Sequence, residues 1–99
     1  MRYEFRDEDL ERLYVDPTFK LAALGPDVTK AFRKKVFFLE NAADERDLYA
    51  YGALHYEKLS GDLEGFRSIR LNDQWRLVFQ LDDTTSPHKV TVLSVEDYH

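Results

Sequence analysis

The sequence predicts a small α+β domain, with helices packed on one face of an antiparallel sheet whose other face stays partly open. Apolar residues recur at helical spacing in the first half and alternate in the manner of strands in the second. The length sets the scale: 99 residues hold one domain, residues 1–99, around a single core.

The opening RYEF alternates Tyr3 and Phe5 with Arg2 and Glu4, the period of a short strand. Asp7 then offers an N-cap, with Glu8 and Asp9 in the favourable first turn. The helix that follows shows Leu10, Leu13 and Tyr14 as its apolar stripe and ends at Asp16-Pro17, because the residue before a proline avoids helical geometry. TFKLAAL reads as a loop or a half-turn. The clearest helix is GPDVTKAFRKKVFFLENAAD, with Gly25 at the cap and Pro26 at the first helical position, where its missing N–H costs nothing. Val28, Ala31, Phe32, Val36, Leu39 and Ala43 share its apolar face; Lys30, Arg33, Lys34 and Lys35 fall opposite. From Asp44 to Gly52 the signal is weak.

FRSIRL and QWRLVFQL read as strands by β-branched and aromatic content, joined by NDQ, in which Asn72 and Asp73 are strong turn formers. KVTVLSVE, after the DDTTSP turn, is a third strand, and the three predict an antiparallel meander. In the middle run Trp75, Leu77, Phe79 and Leu81 share one face, while Arg76, Val78 and Gln80 share the other. Trp75 and Phe66 are expected in the core, since large aromatics on strands mostly pack.

Composition excludes several classes. Hydrophobic residues at 43% and aromatics at 14% supply a core without metal or crosslink, despite 33% charged residues. The absence of cysteine rules out disulfides, thiolate metal sites and cysteine nucleophiles, and suits a reducing cytoplasm. A charged amino terminus, and no apolar run near the ~20 residues of a membrane span, place the expected protein in the cytoplasm and off the membrane. No nucleotide-binding fingerprint occurs, and His55, His88 and His99 are too dispersed to suggest a metal site, so neither metal nor cofactor is expected. A formal charge of −5 argues against a general nucleic-acid coat protein, which needs clustered Lys and Arg. Two local basic patches survive: Lys30 to Lys35, and Arg67, Arg70 and Arg76 against the single acid Asp73 between Phe66 and Leu81.

The chain closes on Asp97-Tyr98-His99. If the last strand runs to the end, Asp97 and His99 point to one face and Tyr98 to the other.

YEKLSGDLEGFRSIRLNDQWRLVF, residues 56–79, with the terminal DYH, resembles the HigB (plasmid maintenance killer) branch of the RelE/ParE toxin superfamily. The family pattern runs close to L-[EH]-x-L-K-G-D-x-x-G-x-x-S-I-R-x-N-x-x-W-R-x-x-F and closes on D-Y-H. Glu57, Leu59, Gly61, Asp62, Gly65, Ser68, Ile69, Arg70, Asn72, Trp75, Arg76 and Phe79 fall on it, as do Asp97, Tyr98 and His99. The first half agrees only in length and helical layout, and Ser60 stands where the family often carries Lys.

The resemblance implies a RelE-like fold, two N-terminal helices on an antiparallel sheet with an open active-site face. It implies a toxin of a type II toxin-antitoxin system that acts as a ribosome-dependent, metal-independent mRNA endonuclease and arrests translation and growth. A helix-turn-helix antitoxin of the HigA type would restrain it, with operator DNA engaged only through that antitoxin. Metal-free RNA cleavage needs a base for the 2′-hydroxyl proton, an acid for the leaving 5′-oxygen and cations for the charge on phosphate. His99 can serve as acid or base; Asp97 can orient it or act as base; Tyr98 can hold substrate; Arg76 can grip phosphate. Glu57, where the family carries Glu or His, is a second candidate base. Arg70, Arg67 and Lys58, with Lys30, Arg33 and Lys34 on the helix, are the candidate RNA-binding residues. His55 lies two positions from the family's Glu/His site and is expected to be exposed or otherwise satisfied rather than catalytic. Two rivals stay open: a gyrase-targeting ParE-like toxin, and a non-catalytic protein that keeps the fold and the antitoxin grip.

Overall fold

The computed structural model describes residues 1–59 and 65–97. Three expected elements form as their signals dictate. β1, Arg2–Phe5, gives way to α1, Glu8–Val15, where the Asp7 carboxylate accepts from the amides of Asp9 at 2.8 Å and Leu10 at 3.2 Å. α2, Pro26–Asn41, starts on an extended Gly25 with Pro26 in its first turn. Its buried face is Val28, Thr29, Phe32, Val36 and Leu39. Ala42, past the helix end, enters the core in place of the expected Ala43.

α3, Glu45–Ala50, fills the stretch of weak signal, capped by Asp44, whose carboxylate accepts from the Arg46 amide at 2.9 Å. A single 3₁₀ turn over Gly52–Leu54 then leads to β2, Glu57–Lys58. The meander follows as β3, Phe66–Arg70, β4, Trp75–Asp82, and β5, Lys89–Asp97. The β3–β4 turn is built as its residues suggest, with the Asn72 side-chain oxygen accepting from the amides of Gln74 and Trp75 at 2.9 and 2.8 Å.

The sheet order is β1-β5-β4-β3-β2. The pairings β2–β3, β3–β4 and β4–β5 are antiparallel, and β1 joins the edge parallel to β5. The sheet is therefore mixed. A parallel edge pair needs a crossover, and α1, α2 and α3 lie within the chain that makes it. Leu10, Leu13, Phe32, Val36, Leu39 and Leu48 from the helices meet Ile69, Leu77, Phe79, Leu81, Val90 and Val92 in one core. The other sheet face carries Phe66, Ser68 and Arg70 on β3 in register with Gln80, Val78 and Arg76 on β4. Among the described residues no helix is long and apolar enough to cross a membrane.

Candidate active site on the open sheet face

Arg76 lies at the centre of this face. Its Nε donates to the Ser68 hydroxyl at 3.0 Å, and its Nη2 donates to the His55 carbonyl at 2.5 Å and to the Ser68 carbonyl at 3.4 Å. Ser68 is fully buried, so its hydroxyl serves the guanidinium rather than water. The Glu57 carboxylate stands 4.0 Å from Arg76 Nη2, and Glu57 pairs across the strands with Ser68. Arginine, serine and glutamate thus come together from three adjacent strands, with one edge of the cation already oriented by the fold.

Arg70 sits directly opposite Arg76 in the β3–β4 register. Its guanidinium pairs with the Asp73 carboxylate and donates to the Asn72 carbonyl at 3.2 Å. It also meets His55 Nε2 at 3.4 Å. His55 reaches this position from a left-handed backbone conformation, φ 47° and ψ 53°, directly after the 3₁₀ turn, which is uncommon for a residue with a Cβ. His55, Arg70, Asn72, Asp73, Gln74 and Arg76 enclose a polar cleft of about 290 Å³. Sequence spacing had set His55 aside; the chain reversal at residues 52–55 brings it to the arginines, and no sequence signal marked that reversal.

Asp97 is placed differently from expectation. Alternation along β5 from Val90 and Val92 would have put Asp97 on the open face with Arg76. The register slips between Val78 and Phe79, whose partners are Ser94 and Val92, so Leu93 is an extra residue on β5. The bulge reverses the parity of everything after it. Glu96 therefore pairs with Arg76, and Asp97 pairs with Trp75, whose ring packs on the core as expected. The Asp97 carboxylate accepts from Gln74 Nε2 at 2.9 Å, at the rim of the cleft. Tyr98 and His99, like Gly61 and Asp62 of the motif, lie outside the described residues.

The remaining basic residues divide. Arg67 and Lys58 pair with each other across β3 and β2, one step out of phase with Glu57 and Ser68, and so point to the helix side. There Glu45 accepts from the Tyr56 hydroxyl at 2.7 Å, with Arg67 Nε at 3.7 Å and Lys58 Nζ at 4.0 Å. Arg67 Nε also donates to the Tyr56 oxygen at 3.0 Å. Burial, and then the Glu45 carboxylate, push the Tyr56 phenol well above its ordinary pKa. Arg33 turns inward and donates to the carbonyls of Leu13 at 2.8 Å, Asp16 at 3.2 Å and Phe19 at 2.9 Å. Of the helix cluster, Lys30 and Lys34 stay exposed. Phe66 is a further correction: parity puts it opposite Gln80 on the open face, half-buried and outside the core.

Solved structures with a similar layout include several toxins. The chain matches a YoeB/ParE toxin from Agrobacterium tumefaciens over 100% of both chains at TM-score 0.60 and 14% identity. It matches the YoeB-YefM complex from Staphylococcus aureus at TM-score 0.58 and 23% identity, over 100% of this chain and 97% of that one. The RelBE2 toxin-antitoxin complex from Mycobacterium tuberculosis aligns at TM-score 0.54 and 21% identity, over 98% and 96% of the two chains. At such identities these likenesses show the fold alone: helices packed on a five-stranded sheet, the layout of the RelE- and YoeB-like structures. In sequence, Toxin HigB-1 of Vibrio cholerae serotype O1 is 35% identical over 95 residues, 90% of this chain and 99% of that protein. The HigB-like toxin family, described as the RelE-like toxin of the type II toxin-antitoxin system HigB, matches residues 3–98. The chain belongs to that family.

Proposed function

We propose that this toxin is a metal-independent endoribonuclease that cleaves mRNA on the ribosome and so halts translation and growth. The observation that carries the proposal is the meeting of Arg76, Ser68 and Glu57 beside Arg70 on an open sheet face, in a chain of the HigB-like family. Two guanidiniums in register suit a phosphodiester, whose charge rises as the 2′-oxygen attacks phosphorus. Arg76 stabilises that charge. Glu57 takes the 2′-hydroxyl proton; a protonated His99 returns one to the leaving 5′-oxygen, with Asp97 orienting it; Tyr98 holds the RNA by stacking or a hydrogen bond.

Arg70 grips a neighbouring phosphate, and exposed Lys30 and Lys34 meet ribosomal RNA. Arg67, Lys58 and Arg33 assist from behind, by fixing the strand and helices that present these groups. The partner is an antitoxin, by likeness to the toxin-antitoxin complexes among the structural neighbours. In the HigB family this implies a helix-turn-helix protein of the HigA type, acting in the cytoplasm.

Mapping mRNA 5′ ends after brief induction tests the proposal. New ends confined to translated messages are the expected result. Growth arrest with intact mRNA would point to gyrase instead, and induction without arrest would point to a non-catalytic antitoxin-binding protein.

A further inference from the structure

The Asp73 carboxylate is 95% exposed, yet it pairs with Arg70, whose side chain is 36% exposed and opens onto the same polar cleft. An exposed ion pair contributes little to stability, so the fold does not depend on it. The turn itself is held by Asn72, through the amides of Gln74 and Trp75. Arg70 is meanwhile braced from two other sides, by the Asn72 carbonyl at 3.2 Å and by His55 Nε2 at 3.4 Å. A guanidinium only donates, so His55 Nε2 takes the accepting role where the two meet.

We infer that Arg70 and His55 form an anion subsite next to Arg76, that Asp73 is its internal occupant, and that a second phosphodiester of single-stranded RNA displaces this carboxylate on binding. The inference rests on the ribonuclease reading for the identity of the ligand. The geometry fits it: Arg70 and Arg76 are cross-strand partners, so successive phosphates can be held on adjacent strands while Asp73, free to rotate into solvent, leaves without disturbing the turn. The charged groups facing His55 are Arg70 from β3 and Arg76 from β4. Glu57 of β2 reaches the site through Arg76, and Asp73 of the turn through Arg70.

Fluorescence anisotropy with a labelled ribopentamer carrying 2′-O-methyl groups, which cannot be cleaved, reads the subsite without a ribosome. Asp73→Asn is expected to bind about two- to five-fold tighter than the wild type, the range an exposed ion pair allows. Asp73→Ser, another turn-compatible uncharged residue, is expected to do the same, and Arg70→Ala to weaken binding. His55→Ala is expected to weaken binding less than Arg70→Ala does, because it removes only a brace on that guanidinium. Thermal melting of each variant confirms an intact fold. Unchanged or weaker binding by both Asp73 variants would overturn the subsite, and unchanged binding by His55→Ala would remove His55 from it. Pentamer binding that behaves as expected beside uncut cellular mRNA would leave the subsite standing and sink the ribonuclease reading; cut mRNA with indifferent Asp73 variants would do the reverse.

Discussion

Arg76 is oriented by Ser68: the fully buried serine hydroxyl accepts from Arg76 Nε at 3.0 Å, across the β3–β4 pair. A hydrogen bond to a charged group in such a place is worth about 1.5–3 kcal/mol, and here it fixes where the guanidinium points. Ser68→Ala is expected to lower mRNA cleavage by roughly tenfold or more. It should lower the melting temperature but leave the fold and antitoxin binding in place, because Arg76 keeps the carbonyls of His55 and Ser68. Cleavage on programmed ribosomes, followed by primer extension, measures this; wild-type rates would show that the hydroxyl does not position the cation.

Removing His99 alone is expected to abolish cleavage, since loss of a general acid or base typically costs about 10² to 10⁴ in rate. His99→Gln should match the deletion, because glutamine hydrogen-bonds but does not transfer a proton near neutrality. Melting temperature and antitoxin binding, measured on both variants, separate a lost proton transfer from a lost fold. Full activity of the deletion would move the proton transfers to Glu57 and Asp97.

The helix cations are expected to separate by function. Reversing Lys30 and Lys34 together should weaken ribosome binding and flatten its dependence on salt, with little change in stability. Arg33→Ala should instead destabilise the fold, on the order of 2 kcal/mol, because three loop and helix-end carbonyls lose their donor. Equal melting temperatures for Arg33→Ala and the wild type would contradict the clamp.

Tyr56 sets an alkaline limit. Its folded pKa is raised, first by burial and then by the Glu45 carboxylate. The protonated phenol therefore contributes stability that is fully present below the unfolded value of about 10 and is lost as pH climbs toward the folded one. Urea melts at about pH 8 and about pH 11 are expected to show a steeper alkaline loss in the wild type than in Tyr56→Phe. Parallel losses would mean that Tyr56 does not titrate with unfolding.

Local chemistry was legible wherever a residue acts on its own neighbours in the chain. Asp7 caps α1, Pro26 starts α2, Asn72 builds the turn, and the core positions of β4 follow from its alternation. The motif residues of β3 and β4 were likewise readable, because residues two apart on a strand share a face. α3 and β2 escaped notice because a six-residue helix and a two-residue strand carry too short a period to stand out.

What only the tertiary structure decided lies in relations between distant segments. A cation on a helix surface looks the same in sequence whether it meets water or a carbonyl, and α1 and the following loop chose the second for Arg33. His55 reached Arg70 through a chain reversal that composition does not encode. One bulged residue, Leu93, turned Asp97 away from the face of Arg76 and put Glu96 there, because strand parity has a period of two and a single insertion inverts it for the rest of the strand. Capping and alternation made the longer helices and strands, most of the core and the family motif readable; the sheet register, which couples every strand to its neighbours, set which of the charged residues meet.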